Sequence, residues 1–194
     1  MDVHALALQE LPPPPARVLE VGCGNGELAR ALAADGYDVL AIDPNAPSGA
    51  IFRRTTLEAL VSDERFDGAV VSLALHHVAD LDVALDRLKS LLSPGAPLVV
   101  REFGWDLVDE PTARWDSERL GRASGLAEWR AEHEQLHGFE AMRAALDARF
   151  RRRSFERGPY LSEHKPAEGH AREERRLIEA GEIRAVGFVY VGLA

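Results

Sequence analysis

Val18-Leu19-Glu20-Val21-Gly22-Cys23-Gly24-Asn25-Gly26, followed by Glu27-Leu28-Ala29-Arg30-Ala31-Leu32-Ala33-Ala34, is the stretch whose reading decides the fold. An apolar run that breaks into glycines and resumes with helix formers predicts a strand, a tight turn and a helix, because glycine alone adopts the required backbone angles without steric cost. The amides at such a helix start lack partners within the helix and carry partial positive charge, so they suit a phosphate or a carboxylate. The next apolar run, Tyr37 to Ile42, ends at Asp43. Its carboxylate can accept two hydroxyl hydrogen bonds from a ribose diol, the role of the acidic residue about 20 positions beyond the glycines in dinucleotide folds.

Spacing then separates cofactor classes. A dinucleotide fingerprint reads G-x-G-x-x-G, whereas Gly22, Gly24 and Gly26 give G-x-G-x-G, with Glu27 where the third glycine belongs. A pyrophosphate is the poorer fit. Glu20, two positions before Gly22, would aim a carboxylate into the turn, repelling a pyrophosphate and tolerating the ammonium of an amino-acid moiety. This E-x-G-x-G-x-G pattern resembles motif I of class I S-adenosylmethionine-dependent methyltransferases.

The resemblance extends along most of the chain. Arg65 to Val78 looks like the fourth strand of that family and the loop after it, and Pro97 to Phe103 like the fifth. Between them Asp80 can cap a helix in which Leu81, Ala84, Leu85, Leu88, Leu91 and Leu92 recur at helical spacing, ended by Ser93-Pro94-Gly95. A helix from Ala171 to Ala180, stopped by Gly181, precedes the candidate last strand, Ile183 to Val191. Strands alternating with helices imply a mainly parallel sheet covered on both faces. The resemblance adds the rest: an α/β, Rossmann-like, doubly wound sheet with a final antiparallel strand. The expectation is a single domain over 1–194, with a helical substrate-binding insertion at about 104–150.

What the resemblance implies for the cofactor, S-adenosyl-L-methionine, can be carried over residue by residue. Glu20, Gly22, Cys23, Gly24 and Gly26 would line the methionine end, and Asp43, with Pro44 and Asn45 beside it, would hold the ribose. Thr56, Leu57 and Glu58 follow the short third strand; a carboxylate often stands at the position of Thr56, so its replacement shifts adenine recognition toward backbone groups. Ser72 and Leu73 would end the fourth strand beside the sulfonium. Ser72-Leu73-Ala74-Leu75 also replaces the N/D-P-P-Y/F motif that enzymes methylating base or glutamine amino groups often carry.

Composition narrows the partners. The chain has 194 residues, 46% of them apolar, enough for one shared core. With 23 basic against 32 acidic residues its net charge is −9, which opposes a broad attraction to nucleic acid. The one basic run, Arg149 to Arg153, reads as a solvated helix end and strand start. No segment reaches the roughly 20 apolar residues of a membrane span, and no signal peptide is evident, so a cytoplasmic location is expected. The short Pro12 to Pro15 run reads as a stiff spacer after an N-terminal helix.

His133-Glu134-Gln135-Leu136-His137 matches H-E-x-x-H, in which two imidazoles one helical turn apart grip zinc. The third ligand is not evident, and no metal is expected. The same segment supplies a stripe, Leu126, Trp129, His133 and Leu136, with His137 at its margin, so His133 points inward. The insertion also contains Trp105 and Trp115, and aromatics above the carboxyl ends of parallel strands suggest a pocket for a flat or apolar acceptor. Trp105, Trp129 and His137 are the expected substrate contacts. Because an oxygen acceptor must lose a proton, a general base would assist, and His77 and His133 are the candidates, with Glu102, His137, Tyr160 and His164 behind them. The expected reaction is methyl transfer to an oxygen or nitrogen of a small molecule. A protein or peptide acceptor, or a catalytically silent cofactor binder, are the alternatives; the oligomeric state is left open.

Overall fold

The structure, a computed structural model, describes residues 2–122, 124–164 and 168–194. The quoted stretch forms strand β1 (Arg17–Val21), a turn and helix α2 (Glu27–Ala34), after a short helix α1 (Val3–Glu10). Strands β2 (Asp38–Asp43), β3 (Phe52–Arg54), β4 (Gly68–Ser72) and β5 (Pro97–Phe103) follow, with helix α3 (Leu81–Leu91) between the last two. Helices α4 (Glu110–Arg119), α5 (Leu126–His133) and α6 (Phe139–Asp147) come next, then β6 (Arg151–Gly158), α7 (Leu161–His164), α8 (His170–Glu179) and β7 (Gly187–Leu193).

The seven strands form one sheet in the order β3-β2-β1-β4-β5-β7-β6. β1 to β5 pair in parallel, and β7 runs antiparallel to both β5 and β6. The family's reversed final strand is therefore present. Successive residues of β1, β4 and β5 point to opposite faces, and both faces are dry, which explains their nearly unbroken apolar sequence. Leu19, Val21, Val71 and Val100 bury against Leu85 and Leu88 of α3 and Met142 of α6. Val18, Val70 and Val99 bury on the other side against Ala7 of α1 and Ala29 and Leu32 of α2. α3 begins where expected: Asp80 accepts from Asp82 N and Val83 N at 2.9 and 3.0 Å.

The last strand is shifted from its expected place. Ile183 to Val186 is not strand, because its backbone is used elsewhere: Arg184 N donates to Thr112 Oγ1 at 2.9 Å, and the Val186 carbonyl accepts from Gly104 N at 2.8 Å. The basic run leads from the end of α6 into the start of β6 at Arg151, as expected, and the strand continues to Gly158. β6 is an exposed edge bulged between Arg152 and Ser154, and its charges oppose pairing with another sheet. The chain runs outward in opposite directions from β1 and β4, so their carboxyl ends form the topological switch point where open α/β sheets place ligands.

Candidate functional site

Two cavities open at the carboxyl ends of the strands. The first, of about 890 Å³, lies over β1, β2, β3 and β4 and is bordered by Gly22, Gly24, Asp43, Pro44, Asn45, Thr56, Leu57, Glu58, Ser72 and Leu73. Ten of the residues expected at the cofactor thus share one cavity, with Ala74, His77 and Val78 closing it. Gly22 makes the approach possible. At φ +80°, a Cβ there would stand 2.6 Å from the Ala74 Cβ and 2.9 Å from the Ser72 carbonyl, so the loops after β1 and β4 touch only because Gly22 has none. Leu73 is the one non-glycine residue with positive φ, 51°, among the described residues, and its N–H still extends the ladder to the Arg101 carbonyl at 2.9 Å.

Asp43 braces the glycine loop as well as facing the cavity. Its Oδ2 accepts from Gly24 N at 3.2 Å and its Oδ1 from Asn45 N at 2.7 Å, which fixes the carboxylate and leaves each oxygen a further lone pair.

Three expected cofactor residues do not border this cavity. Gly26 caps α2 in the left-handed region, and the Phe52 ring lies 2.5 Å from where its Cβ would be, so its smallness serves packing. Cys23 is buried in the turn, and burial together with the Glu20 and Asp43 charges pushes its thiol up to about 11, away from reactivity. Glu20 sits beneath the turn, 2% exposed, with Oε2 lacking any hydrogen-bond partner. Burial first, and the Asp43 charge second, raise its pKa to about 7.

The second cavity, of about 520 Å³, is covered by α4, α5 and the segment before α7. Leu73 and His77 border both cavities, so the two meet at the loop after β4. Trp129 and His133 border it as the stripe predicts, and Leu136 borders it from beyond the end of α5, while Leu126 does not. His133 Nδ1 lies 2.7 Å from the Trp129 carbonyl, so Nδ1 carries a proton, and the ring stacks on Trp129 at a centroid distance of 4.1 Å. Burial, then the neighbouring His76, lower the pKa of His77.

Trp105 and His137 lie off this cavity. The Trp105 indole donates to the Leu136 carbonyl at 3.0 Å, and the Trp129 indole donates to the Trp105 carbonyl at 2.9 Å, so Trp105 braces the wall from behind. α5 ends at His133, one turn too early for a shared helical face, and His137 turns away to the Val78 carbonyl at 2.8 Å. The H-E-x-x-H imidazoles are thus engaged separately, and no group of three metal-ligating side chains gathers among the described residues. The His164 side chain lies outside the described residues.

Sequence reasoning passed over His76. It is buried, borders the second cavity and lies with Nδ1 2.6 Å from Oε2 of Glu102. The signal was Glu102, a carboxylate in the apolar run of β5, since a buried charge requires a partner. Phe103, Asp116, Arg122, Glu132, Tyr160 and Leu161 also line the wall. Glu174 of α8 secures the last two by accepting from the N–H groups of Tyr160, Leu161 and Ser162 at 2.9, 3.0 and 2.9 Å.

A family model described as a methyltransferase domain matches residues 2–158. The chain belongs to this methyltransferase family. The sheet order and reversed seventh strand are those of its class I, S-adenosylmethionine-dependent branch. Among relatives of this methyltransferase-family chain, a protein of Mycobacterium tuberculosis named an uncharacterized methyltransferase is 37% identical over 101 residues, 44% of this chain and 50% of that one. A ubiquinone biosynthesis O-methyltransferase of Rhodopseudomonas palustris is 31% identical over 144 residues, 63% of this chain and 57% of that one. The chain spans about half the length of these curated relatives. A solved S-adenosylmethionine-dependent methyltransferase of Mesorhizobium loti superimposes with a TM-score of 0.65 at 18% identity, covering 98% of this chain and 96% of that one, which is a likeness of fold.

Proposed function

We propose that the protein transfers a methyl group from S-adenosylmethionine to an oxygen or nitrogen of a small molecule. The observation that carries this reading is the meeting of the two cavities at Leu73 and His77, which lets a donor in one and an acceptor in the other approach end to end. Methyl transfer in line depends chiefly on such positioning.

The residues present fit the cofactor. Asp43, held by two backbone donors yet with lone pairs to spare, suits a ribose diol. The unpartnered buried oxygen of Glu20 favours a cationic amino group over a pyrophosphate above it. Thr56, Leu57 and Glu58 border the end of the cavity expected for adenine, and the Gly22 turn admits close approach from the methionine end. When bound, the cofactor supplies a methyl group on a sulfonium that becomes a neutral thioether on transfer.

On the acceptor side, His77 stands at the junction and His133 on the far wall, its Nδ1 proton occupied and its Nε2 left to accept. Trp129 offers a flat apolar face beside it. A cavity of about 520 Å³ under two helices suits a small molecule better than a polypeptide segment.

Calorimetric titration with S-adenosylmethionine and, separately, with NAD tests the reading. Saturable binding of the sulfonium cofactor alone, lost in Asp43→Ala, is expected; binding of NAD alone would overturn it.

A further inference from the structure

The geometry assigns the acceptor and its base: a phenolic hydroxyl whose proton is taken by His76, with Glu102 as the positioning residue behind it. This inference rests on the methyltransferase reading and adds the acceptor class and the group that moves the proton.

Glu102 is 1% exposed, a depth at which a carboxylate must be satisfied by hydrogen bonds. Oε1 accepts from Leu75 N at 2.6 Å, and Oε2 accepts from Phe103 N at 3.4 Å and faces His76 Nδ1 at 2.6 Å. Two backbone donors keep the carboxylate an acceptor, so the proton of the shared contact belongs to His76 Nδ1. In the neutral ring Nε2 then holds the lone pair, and His76 borders the acceptor cavity.

Three imidazoles border that cavity, and what surrounds each decides between them. His76 has a buried carboxylate 2.6 Å behind its Nδ1, which fixes the ring and its tautomer. His77 sits with its ring centroid 4.1 Å from that of His76, and burial and this neighbour both oppose its charging. His133 has only the Trp129 carbonyl behind it, a neutral dipole.

The acceptor class follows from the wall. Trp129 stacks on His133 at 4.1 Å, His133 meets the edge of Phe103 at 6.2 Å, and Phe103 stacks on Tyr160 at 4.3 Å and meets His76 edge-on at 4.8 Å. This unbroken series of rings fits a planar aromatic molecule. The buried guanidinium beside the cavity, Arg119, is already paired with Asp116 at 2.5 Å, and the exposed Arg122 borders the cavity, so the wall leaves room for an acidic substituent on the ring. A neutral amine already presents a lone pair, whereas a phenol is a poor nucleophile until deprotonated. A phenol is therefore the acceptor for which a carboxylate-backed imidazole has a use.

The step balances. The hydroxyl proton passes to His76 Nε2, the oxygen electron pair forms the bond to the methyl carbon, and the carbon–sulfur pair remains on sulfur as that bond breaks. The products are an aryl methyl ether and a neutral thioether, and His76 later returns its proton to solvent.

The test compares two phenols at mildly alkaline pH, 4-methylphenol, which is still protonated, and 4-nitrophenol, which is already ionised. Labelled S-adenosylmethionine reports transfer by the wild type, Glu102→Gln and His76→Asn. Loss of a general base costs ~100-fold to 10,000-fold. That loss is expected with 4-methylphenol in both variants, with little change for 4-nitrophenol and unchanged cofactor binding. Glu102→Gln keeps shape and volume, which guards against a misfolded His76 variant. Long-range ¹H–¹⁵N NMR of the free protein should show His76 protonated at Nδ1, a restriction lost in Glu102→Gln. Equal loss with both phenols, or the opposite tautomer, would overturn the assignment. Methylation of neither phenol while S-adenosylmethionine still binds would overturn the acceptor class, and failure of S-adenosylmethionine to bind would instead sink the underlying reading.

Discussion

Replacing Glu20 by glutamine should stabilise the free protein and weaken its hold on the cofactor, and both effects should grow with pH. Glu20 is 2% exposed beneath the glycine turn, its Oε2 has no hydrogen-bond partner, and burial, followed by the Asp43 charge, raises its pKa from 4.5 to about 7. The folded protein therefore holds this proton more tightly than the unfolded chain does. The support that the protonated form lends the fold is complete below 4.5 and is lost as pH rises through about 7, beyond which the buried carboxylate carries a constant penalty. That penalty is on the order of 3 kcal/mol by linkage. Glutamine keeps the shape without the charge, so urea unfolding should give a gain of about 1 kcal/mol at pH 5 and about 3 kcal/mol at pH 8.5. A cationic amino group bound above Glu20 would compensate the buried charge in the wild type alone. Titration at pH 8.5 should thus show S-adenosylmethionine affinity falling about 10-fold to 100-fold in the variant, the worth of a charge-assisted contact. A gain of equal size at both pH values, or a loss of stability at pH 8.5, would show that the carboxylate has a donor in the folded protein and would refute the reasoning.

The two glycines that border the cofactor cavity should respond unequally to alanine. Gly22→Ala places a Cβ 2.6 Å from that of Ala74 at φ +80° and should cost about 3 kcal/mol in urea unfolding, whereas Gly24→Ala, at φ +50° with nothing within 4 Å, should cost about 1 kcal/mol of backbone strain. Glu174→Ala orphans three backbone N–H groups and should lower stability by about 3 kcal/mol or more by the same assay, with Glu174→Gln retaining part of it. Trp129→Leu removes the ring on which His133 stacks at 4.1 Å and should raise the KM for an aromatic acceptor about 3-fold to 10-fold while the Kd for S-adenosylmethionine stays constant, as steady-state kinetics and calorimetry would read it.

What the sequence conveyed and what it withheld divide along a physical line. Pro97 to Phe103 is legible to the residue because a central strand buried on both faces is written as mostly apolar sequence, here Pro97 to Val100 closed by Phe103, and the glycine turn because only glycine tolerates its angles and the approach of Ala74. β6 is legible only at its start, because an edge strand keeps its side chains in water and carries a surface composition, Arg151-Arg152-Arg153, that a solvated loop shares. Ile183 to Val186 is as apolar as a strand, yet Thr112 and Gly104 take its backbone hydrogen bonds, a tertiary choice invisible in its own composition. The same distinction governs the site. Helical spacing placed Trp129 and His133 on one inward face, since periodicity reports faces. It could not place His137, because α5 ends at His133 and periodicity does not survive the end of its helix. Nor could it choose between His76 and His77, which share a single 3₁₀ turn, Leu75–His77, where a step of one residue turns the side chain by about a third of a revolution. One of them reaches Glu102 and the other reaches the junction of the two cavities. Glu102 breaks the apolar run of β5, and at 1% exposure its carboxylate needs a donor at the adjoining strand end. The loop after β4 adjoins that end, through β4–β5 pairing up to Ser72 and Arg101, and supplies His76. A lone acid in a core strand therefore points to its partner's strand even where no motif does.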